Sequence, residues 1–282
     1  MSAGPEPAMF GTGAAPKSMY TALYGDLAPR VPLAELSQDA YSLFYARSAA
    51  MGWLTPDEGA SGGLWGMNDA EAGRDAGPLP HRVAWFQVSL SGPFPAGVVP
   101  VQPFLSCAGD VVARLGALRL EAVQVLMPGQ DAPVRGDFAS PSSMRVARPL
   151  LDTRNWFGDC NPRLREPARV TLDGGPDPSV RAAAPAIAQW IEEVDQDVFA
   201  GDSFSLADGD HLVLRPTPLD ERPDTSHHRV TFRGTLAEWS LDAVGWLAAF
   251  LADVSSRQGV STPLMLSADR SWAGDPRHRR MP

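Results

Sequence analysis

Two stretches of this chain determine its predicted fold: HRVAWFQVSL at His81–Leu90 and HRVTFRGTL at His228–Leu236. Both begin with His-Arg-Val, and the second begins 147 positions after the first, at 228 against 81. The first run is apolar at successive positions, which is typical of a strand in the middle of a sheet. The second alternates apolar and polar residues, which predicts a strand with one buried face.

The segments around these two runs repeat in the same order. A strand, a helix and a second strand precede each run, and a helix and a last strand follow it. The predicted elements of the first copy are 19–24, 32–52, 64–67, 81–90, 103–115 and 118–127, and those of the second are 168–172, 177–199, 211–215, 228–236, 240–258 and 263–267. This order predicts an α+β fold of two tandem ferredoxin-like (βαββαβ) modules that arose by internal duplication. A single α+β sandwich with one mixed sheet is the rival interpretation.

The duplication divides the chain into five parts. We expect a flexible N-terminal arm at 1–17, module 1 at 18–127, a connecting strap at 128–167, module 2 at 168–268 and a C-terminal tail at 269–282. The strap is long for a compact protein and lacks periodicity, so it is either a binding loop or a cover packed on the core.

Composition narrows the possible partners and the setting. The net charge of −9 and the pI of about 5.0 argue against nucleic acid, because phosphate binding needs clustered positive charge. Lys17 is the only lysine, and the arginine, alanine, glycine and proline content indicates a high-GC bacterial genome. The absence of a leader pattern and of a long apolar run predicts a cytoplasmic protein that does not engage a membrane. The two cysteines, Cys107 and Cys160, lack metal-like spacing, so we expect reduced thiols.

Catalytic candidates are few. Among the five histidines, His81 and His228 open equivalent strands, and Asp224 is close enough to His228 in sequence for an acid–base pair. Capping of a hairpin loop is the simpler interpretation of His228. The Gly-x-Ser-x-Gly match at 59–63 lacks the strand and helix that a nucleophile elbow needs. No zinc, dinucleotide or phosphate-loop motif is present, so we expect no metal and no cofactor.

Aromatic residues outside the predicted core are candidates for recognition. Five of the eight tryptophans fall in loops or at element ends. The strap contains Arg154, Trp156 and Phe157, and Trp239 precedes the last predicted helix. We therefore assign Trp156, Phe157, Arg154 and Trp239 as candidate binding residues. In the simpler interpretation, Trp156 and Phe157 pack into the core.

Three function classes remain. The first is a non-catalytic binding protein that recognises a protein or peptide partner, and the lack of a catalytic motif favours it. The second is a small-molecule, cofactor-independent, oxygenase-like enzyme of the α+β-barrel type, with a pocket between the modules. Its candidates are His81, His228 and Asp224, together with aromatic residues of the two central strands such as Trp85, Phe86 and Phe232. The third, a tandem-module RNA endonuclease, conflicts with the acidic pI.

Overall fold

The fold is described from a computed structural model. The described residues are 18–30, 32, 38–55, 62–73, 80–91, 98–129, 150, 155–160, 163, 165–194, 196–206 and 227–270. They form eight strands and four helices of eleven residues or more, in the order β1 Ser18–Pro29, α1 Ala40–Ala50, β2 Trp65–Ala72, β3 Arg82–Leu90, α2 Val101–Leu115, β4 Gly116–Met127, β5 Glu166–Asp173, α3 Ser179–Glu193, β6 Phe199–Ser205, β7 Arg229–Leu236, α4 Leu241–Arg257 and β8 Leu264–Asp269. We call β1–β4 with α1 and α2 the first half, and β5–β8 with α3 and α4 the second half.

All eight strands belong to one antiparallel sheet, so the expectation of an α+β fold is confirmed. The strand order is β2-β3-β1-β4-β8-β5-β7-β6. The two halves meet where β4 pairs with β8, from Ala122 opposite Asp269 to Met127 opposite Leu264. Since β8 also pairs with β5, the hydrogen-bonded ladder continues across the junction without a break.

The four helices form one layer on one face of the sheet. Alternate strand residues point into this layer and join the helices in a single core cluster, for example Leu23, Phe86, Val125, Val170 and Leu266. The layer is continuous across the junction as well, because α2 packs against α4. Gly245 permits their close approach, since a Cβ there would lie 3.0 Å from Cα of Gln102. The side chain of Ser106 on α2 donates a 2.6 Å hydrogen bond to Asp242 on α4.

Helix α4 is buried around its whole circumference. Every residue from Ala243 to Ser256 is buried, which is the pattern of a helix enclosed on all sides. Ser240 caps its first turn by accepting a 3.1 Å hydrogen bond from the amide of Ala243. Part of the cover comes from the predicted strap: Trp246 donates from Nε1 to the carbonyl of Leu150 at 2.8 Å.

Two predicted boundaries are wrong. Helix α1 begins at Ala40 rather than near Pro32, because the Asp39 carboxylate accepts the Ser42 amide at 2.8 Å and caps the helix there. Helix α3 ends at Glu193 rather than Phe199. Its last turn has no basic residue, and Val194 takes an extended conformation. The chain then forms β6 at Phe199–Ser205, earlier than the strand expected at 211–215, and 211–215 lies outside the described residues.

Gly25 allows the sheet to bend at a register shift. The pairing of β1 with β3 shifts after Leu23, and that with β4 shifts after Tyr24. Gly25 has φ +147°, and a Cβ there would overlap the carbonyl oxygen of Arg119. Glycine is therefore required by both the backbone conformation and the space.

Replacing Gly25 with alanine should lower the free energy of unfolding by about 2 kcal/mol or more, through backbone strain and the overlap with Arg119. Urea denaturation monitored by circular dichroism measures this change. Gly66→Ala on β2 is the matched control, because no atom lies within 4 Å of its added Cβ. Equal stability of the two variants would contradict the assigned register shift.

Candidate functional site

The face of the sheet that lies away from the helices has an ordered set of polar and aromatic side chains; we call it the second face. Strand registers align its central row across six strands, and side chains at paired positions share a face. The central row consists of Trp85, Ala22, Gln124, Ser267, Thr171 and Thr231. The row crosses the β4–β8 junction, so this face is one surface shared by both halves.

In the first half, the second face is aromatic. Tyr20, Ala22, Tyr24 and Ala122 form a buried cluster that is separate from the core on the helix side. Tyr24 donates a 3.0 Å hydrogen bond from its hydroxyl to Oε1 of Gln124. Burial raises the pKa of Tyr20, and the nearby Arg82 guanidinium partly offsets this by hydrogen-bonding to the phenol oxygen. The Tyr20 hydroxyl therefore stays protonated at neutral pH.

In the second half, the same face is charged and rich in hydroxyl groups. Arg169 donates to both oxygens of Asp269, from Nε at 3.0 Å and from Nη2 at 3.1 Å, and both side chains are largely buried. Two residues along β5 from Arg169, the hydroxyl of Thr171 lies 3.0 Å from that of Thr231. The bidentate contact between Arg169 and Asp269 fixes the orientation of both side chains.

Asp173 holds a histidine and an arginine at the end of β5. Its Oδ2 lies 2.9 Å from Nδ1 of His227 and accepts Nε of Arg229 at 2.7 Å. Its Oδ1 accepts the amide of Gly175 at 2.8 Å. An aspartate that binds one imidazole nitrogen sets the tautomer of the ring and directs the other nitrogen outward. The His227 side chain is 32 % exposed, so this nitrogen is near solvent.

The structure does not bring the predicted acid–base residues together. His81 precedes β3 and His228 precedes β7, which lie five strand intervals apart, roughly 24 Å across the sheet. Since β3 and β7 run in opposite directions and each histidine precedes its strand, His81 and His228 also lie at opposite ends of the sheet. Nδ1 of each is buried with no hydrogen-bond partner, and Asp224 lies outside the described residues.

Sequence reasoning missed Asp173 and Arg229 as partners of His227. The available signal was the pair Gly174-Gly175 directly after Asp173, which marks a strand end. That end adjoins the start of β7, because Gly174 donates its amide to the carbonyl of His228 at 3.0 Å. Only the β5–β7 register, which a single sequence does not specify, sets Asp173 opposite Arg229.

The candidate binding residues occupy different environments. Trp156 is 74 % exposed, whereas Phe157 next to it is 1 % exposed and belongs to the core. Trp239 is partly buried, donates from Nε1 to the carbonyl of Leu120 at 3.0 Å, and lies under the guanidinium of Arg270, 5.8 Å from its ring centroid. Arg154 lies outside the described residues. Trp239 thus ties β4 of the first half to the second half.

The segment 155–160 lies at the end of the sheet where β7 ends, opposite the end that contains His227. The pKa of Cys160 is raised mainly by burial and next by the negative charge of Glu238, which therefore lies near this thiol, just beyond β7. Asp197 is also near, because its Oδ2 lies 3.5 Å from the position of a Cβ on Gly158. The turn that contains Trp156 thus includes Asp159 and has Asp197 near Gly158 and Glu238 near Cys160, with Arg165 also near Cys160.

The described residues also bear on metal binding, membrane spanning and surface pockets. In this part of the chain, no group of three or more histidine, cysteine or acidic side chains could hold a metal ion. No helix within it has the length and apolar character needed to span a membrane. A surface groove of about 380 Å³ lies between α1 and α2, with Leu43 and Val111 in its lining and the ion pair of Arg47 with Asp110 at its edge.

The Thr171–Thr231 hydrogen bond should show coupling in a double-mutant cycle. Each single valine variant leaves the other hydroxyl buried without its partner, so each should lower the free energy of unfolding by about 1–2 kcal/mol. The double variant should lose less than the sum, by at least about 0.5 kcal/mol. Urea denaturation of the four proteins measures this coupling, and strict additivity would contradict it.

The buried thiol of Cys107 should make stability depend on pH in the alkaline range. Burial is the main cause that raises its pKa to about 11 in the folded protein, whereas an unfolded thiol has a pKa of about 8.5. Its contribution to stability is thus fully present below the unfolded value and is lost as pH rises toward 11. The free energy of unfolding should fall more steeply between about pH 9 and 10.5 in the parent than in Cys107→Ala; parallel curves would exclude this contribution.

The chain matches no protein-family model, no curated protein and no solved structure.

Proposed function

We propose that the chain consists of two tandem ferredoxin-like modules joined edge to edge through their last strands. Each half has the order βαββαβ. When the strands are numbered within their own half, the order across the sheet is 2-3-1-4 in the first half and 4-1-3-2 in the second. Matching backbone hydrogen bonds support the duplication: Gly25 donates to the carbonyl of His81 at 2.9 Å, and Gly174 donates to that of His228 at 3.0 Å. The boundaries 18–127 and 168–268, with the strap between them, belong to this proposal.

We propose that the protein is a non-catalytic cytoplasmic binding protein that recognises a protein or peptide partner. The observation that supports this most is the exposure of Trp156, at 74 %. Tryptophan is enriched among the residues that dominate binding energy at protein interfaces, because a large ring is desolvated there with little loss of conformational freedom. The cytoplasmic location rests on the sequence alone.

The position of Trp156 suits a recognition residue. Its neighbour Phe157 is buried in the core, and Cys160 donates its amide to the carbonyl of Phe157 at 3.1 Å, so the short turn is anchored beneath the exposed ring. An anchored side chain loses less entropy on binding than one on a loose loop. The carboxylates of Asp159, Asp197 and Glu238 nearby favour a partner segment with lysine or arginine, which can contact both the ring and the acids.

The alternative, a small-molecule enzyme of the α+β-barrel type, needs an enclosed space between two facing sheets. The described strands instead form one continuous sheet with the helix layer on one side. Its predicted catalytic residues His81 and His228 lie at opposite ends of that sheet. These observations favour the binding protein.

Trp156→Ala should weaken binding to the partner at least tenfold, equivalent to about 1.4 kcal/mol, without changing the melting temperature. The partner is first identified by native mass spectrometry of the chain purified from its host. Binding of the purified partner is then measured by calorimetry. Tyr45→Ala is the matched control, because Tyr45 is another exposed aromatic residue, 49 % accessible, on α1. Equal affinity of both variants and the parent would remove Trp156 from the interface.

A further inference from the structure

The cluster of Asp173, His227 and Arg229 is more ordered than a surface ion pair. Both carboxylate oxygens are used, one by His227 and Arg229 and the other by the Gly175 amide. The backbone beneath is fixed as well, since His228 donates its amide to the carbonyl of Gly175 at 2.8 Å. The imidazole is therefore held in one orientation, with Nε2 facing away from Asp173.

Among the described residues, the second face of β5, β7 and β8 has more arginines than aspartates, although the whole chain is acidic. On the second face of β5, β7 and β8, arginines occupy positions 169, 229 and 233, against aspartates at 173 and 269. Arg169 and Arg233 stand directly opposite each other on paired strands, an arrangement of like charges that is unfavourable unless negative groups compensate it. Asp269 compensates Arg169, and the whole chain has a net charge of −9.

The fold does not require this cluster. The pair that closes the β1–β3 ladder in the first half is Tyr24 opposite Arg82, where the β5–β7 ladder has Asp173 opposite Arg229. The residue two positions before Arg82 is Pro80, where the second half has His227. The first half makes the matching backbone hydrogen bond, from Gly25 to the carbonyl of His81, without a carboxylate or an imidazole, although its ladder has a register shift after Leu23. The cluster is therefore not needed to close the ladder.

We propose that His227 and Arg229, held by Asp173, form a binding site for a small oxyanion, either a carboxylate or a phosphate group. With Nδ1 bound to Asp173, protonated His227 donates from Nε2 to the anion, and Arg229 adds positive charge beside it. Among the described residues of β5, β7 and β8, the other charged groups on this face are Arg169, Arg233 and Asp269, which lie two rows beyond the Asp173–Arg229 pair. This site is separate from the Trp156 surface and does not depend on it.

The test follows the histidine side chains of the full chain by NMR during separate titrations with acetate and with inorganic phosphate. At about pH 6, one histidine resonance should shift saturably and disappear in His227→Gln. The tighter of the two probes identifies the preferred oxyanion.

Asp173→Asn distinguishes a built site from general attraction. Removing this carboxylate makes the face more basic, so diffuse electrostatic attraction would strengthen anion binding. A site that needs the oriented histidine would instead bind at least tenfold more weakly. His228→Gln is the matched control and should keep the parent affinity, while circular dichroism checks that each variant folds. Absence of saturable shifts in the parent, or tighter binding by Asp173→Asn, would overturn the proposal.

Discussion

The pairing of β4 with β8 is the interaction on which the rest of the structure depends. It joins Ala122–Met127 of the first half to Leu264–Asp269 of the second and makes one sheet of eight strands. Because the strands continue across this line, the helices of both halves lie side by side, and α2 reaches α4. The burial of α4, the tie from Trp239 to Leu120 and the continuous second face all follow from this single ladder.

The second face shows how one backbone accommodates two chemistries. Each half forms the same three strand pairings, but the residues that these strands place on the second face differ. The first half fills them with Tyr20, Tyr24 and Ala22, whose ring contacts and hydrogen bonds are satisfied locally. The second half has arginine, aspartate and threonine there: arginine pairs with aspartate, and the threonine hydroxyls hydrogen-bond to each other. Packing on the helix side constrains the residues there to be apolar, while the other side is free to diverge.

Much of the fold was predictable from the sequence, because local signals determine most elements. Runs of apolar residues predicted β1, β3, β4, β7 and β8, and the helix predicted at 240–258 matches α4, which Ser240 caps and which ends before Gly259. The α3–β6 region failed because helical periodicity continues through Val198 although the backbone turns at Val194. There, Gln196 holds the turn by bonding both backbone groups of Phe199, an arrangement that periodicity does not encode.

The candidate sites were less predictable than the fold. Trp156 is exposed and the adjacent Phe157 is buried, and only tertiary packing decides which of the two rings points into the core. The link from Asp173 to His227 spans 54 residues and depends on strand register.

The junction also has a consequence for synthesis and folding. The strand that pairs with the outer edge of β4 begins at Leu264. More than a hundred further residues must therefore be synthesised after β4 before this partner strand exists. A nascent chain that has just passed Met127 presents an open strand edge and the unpaired side of α2. Long-range antiparallel contacts of this kind slow folding, and exposed edges promote association between chains. Truncation after the first half should therefore yield an aggregation-prone fragment. In the full chain, we expect efficient folding when β8 pairs with β4 before the edge of β4 contacts a second copy of the chain.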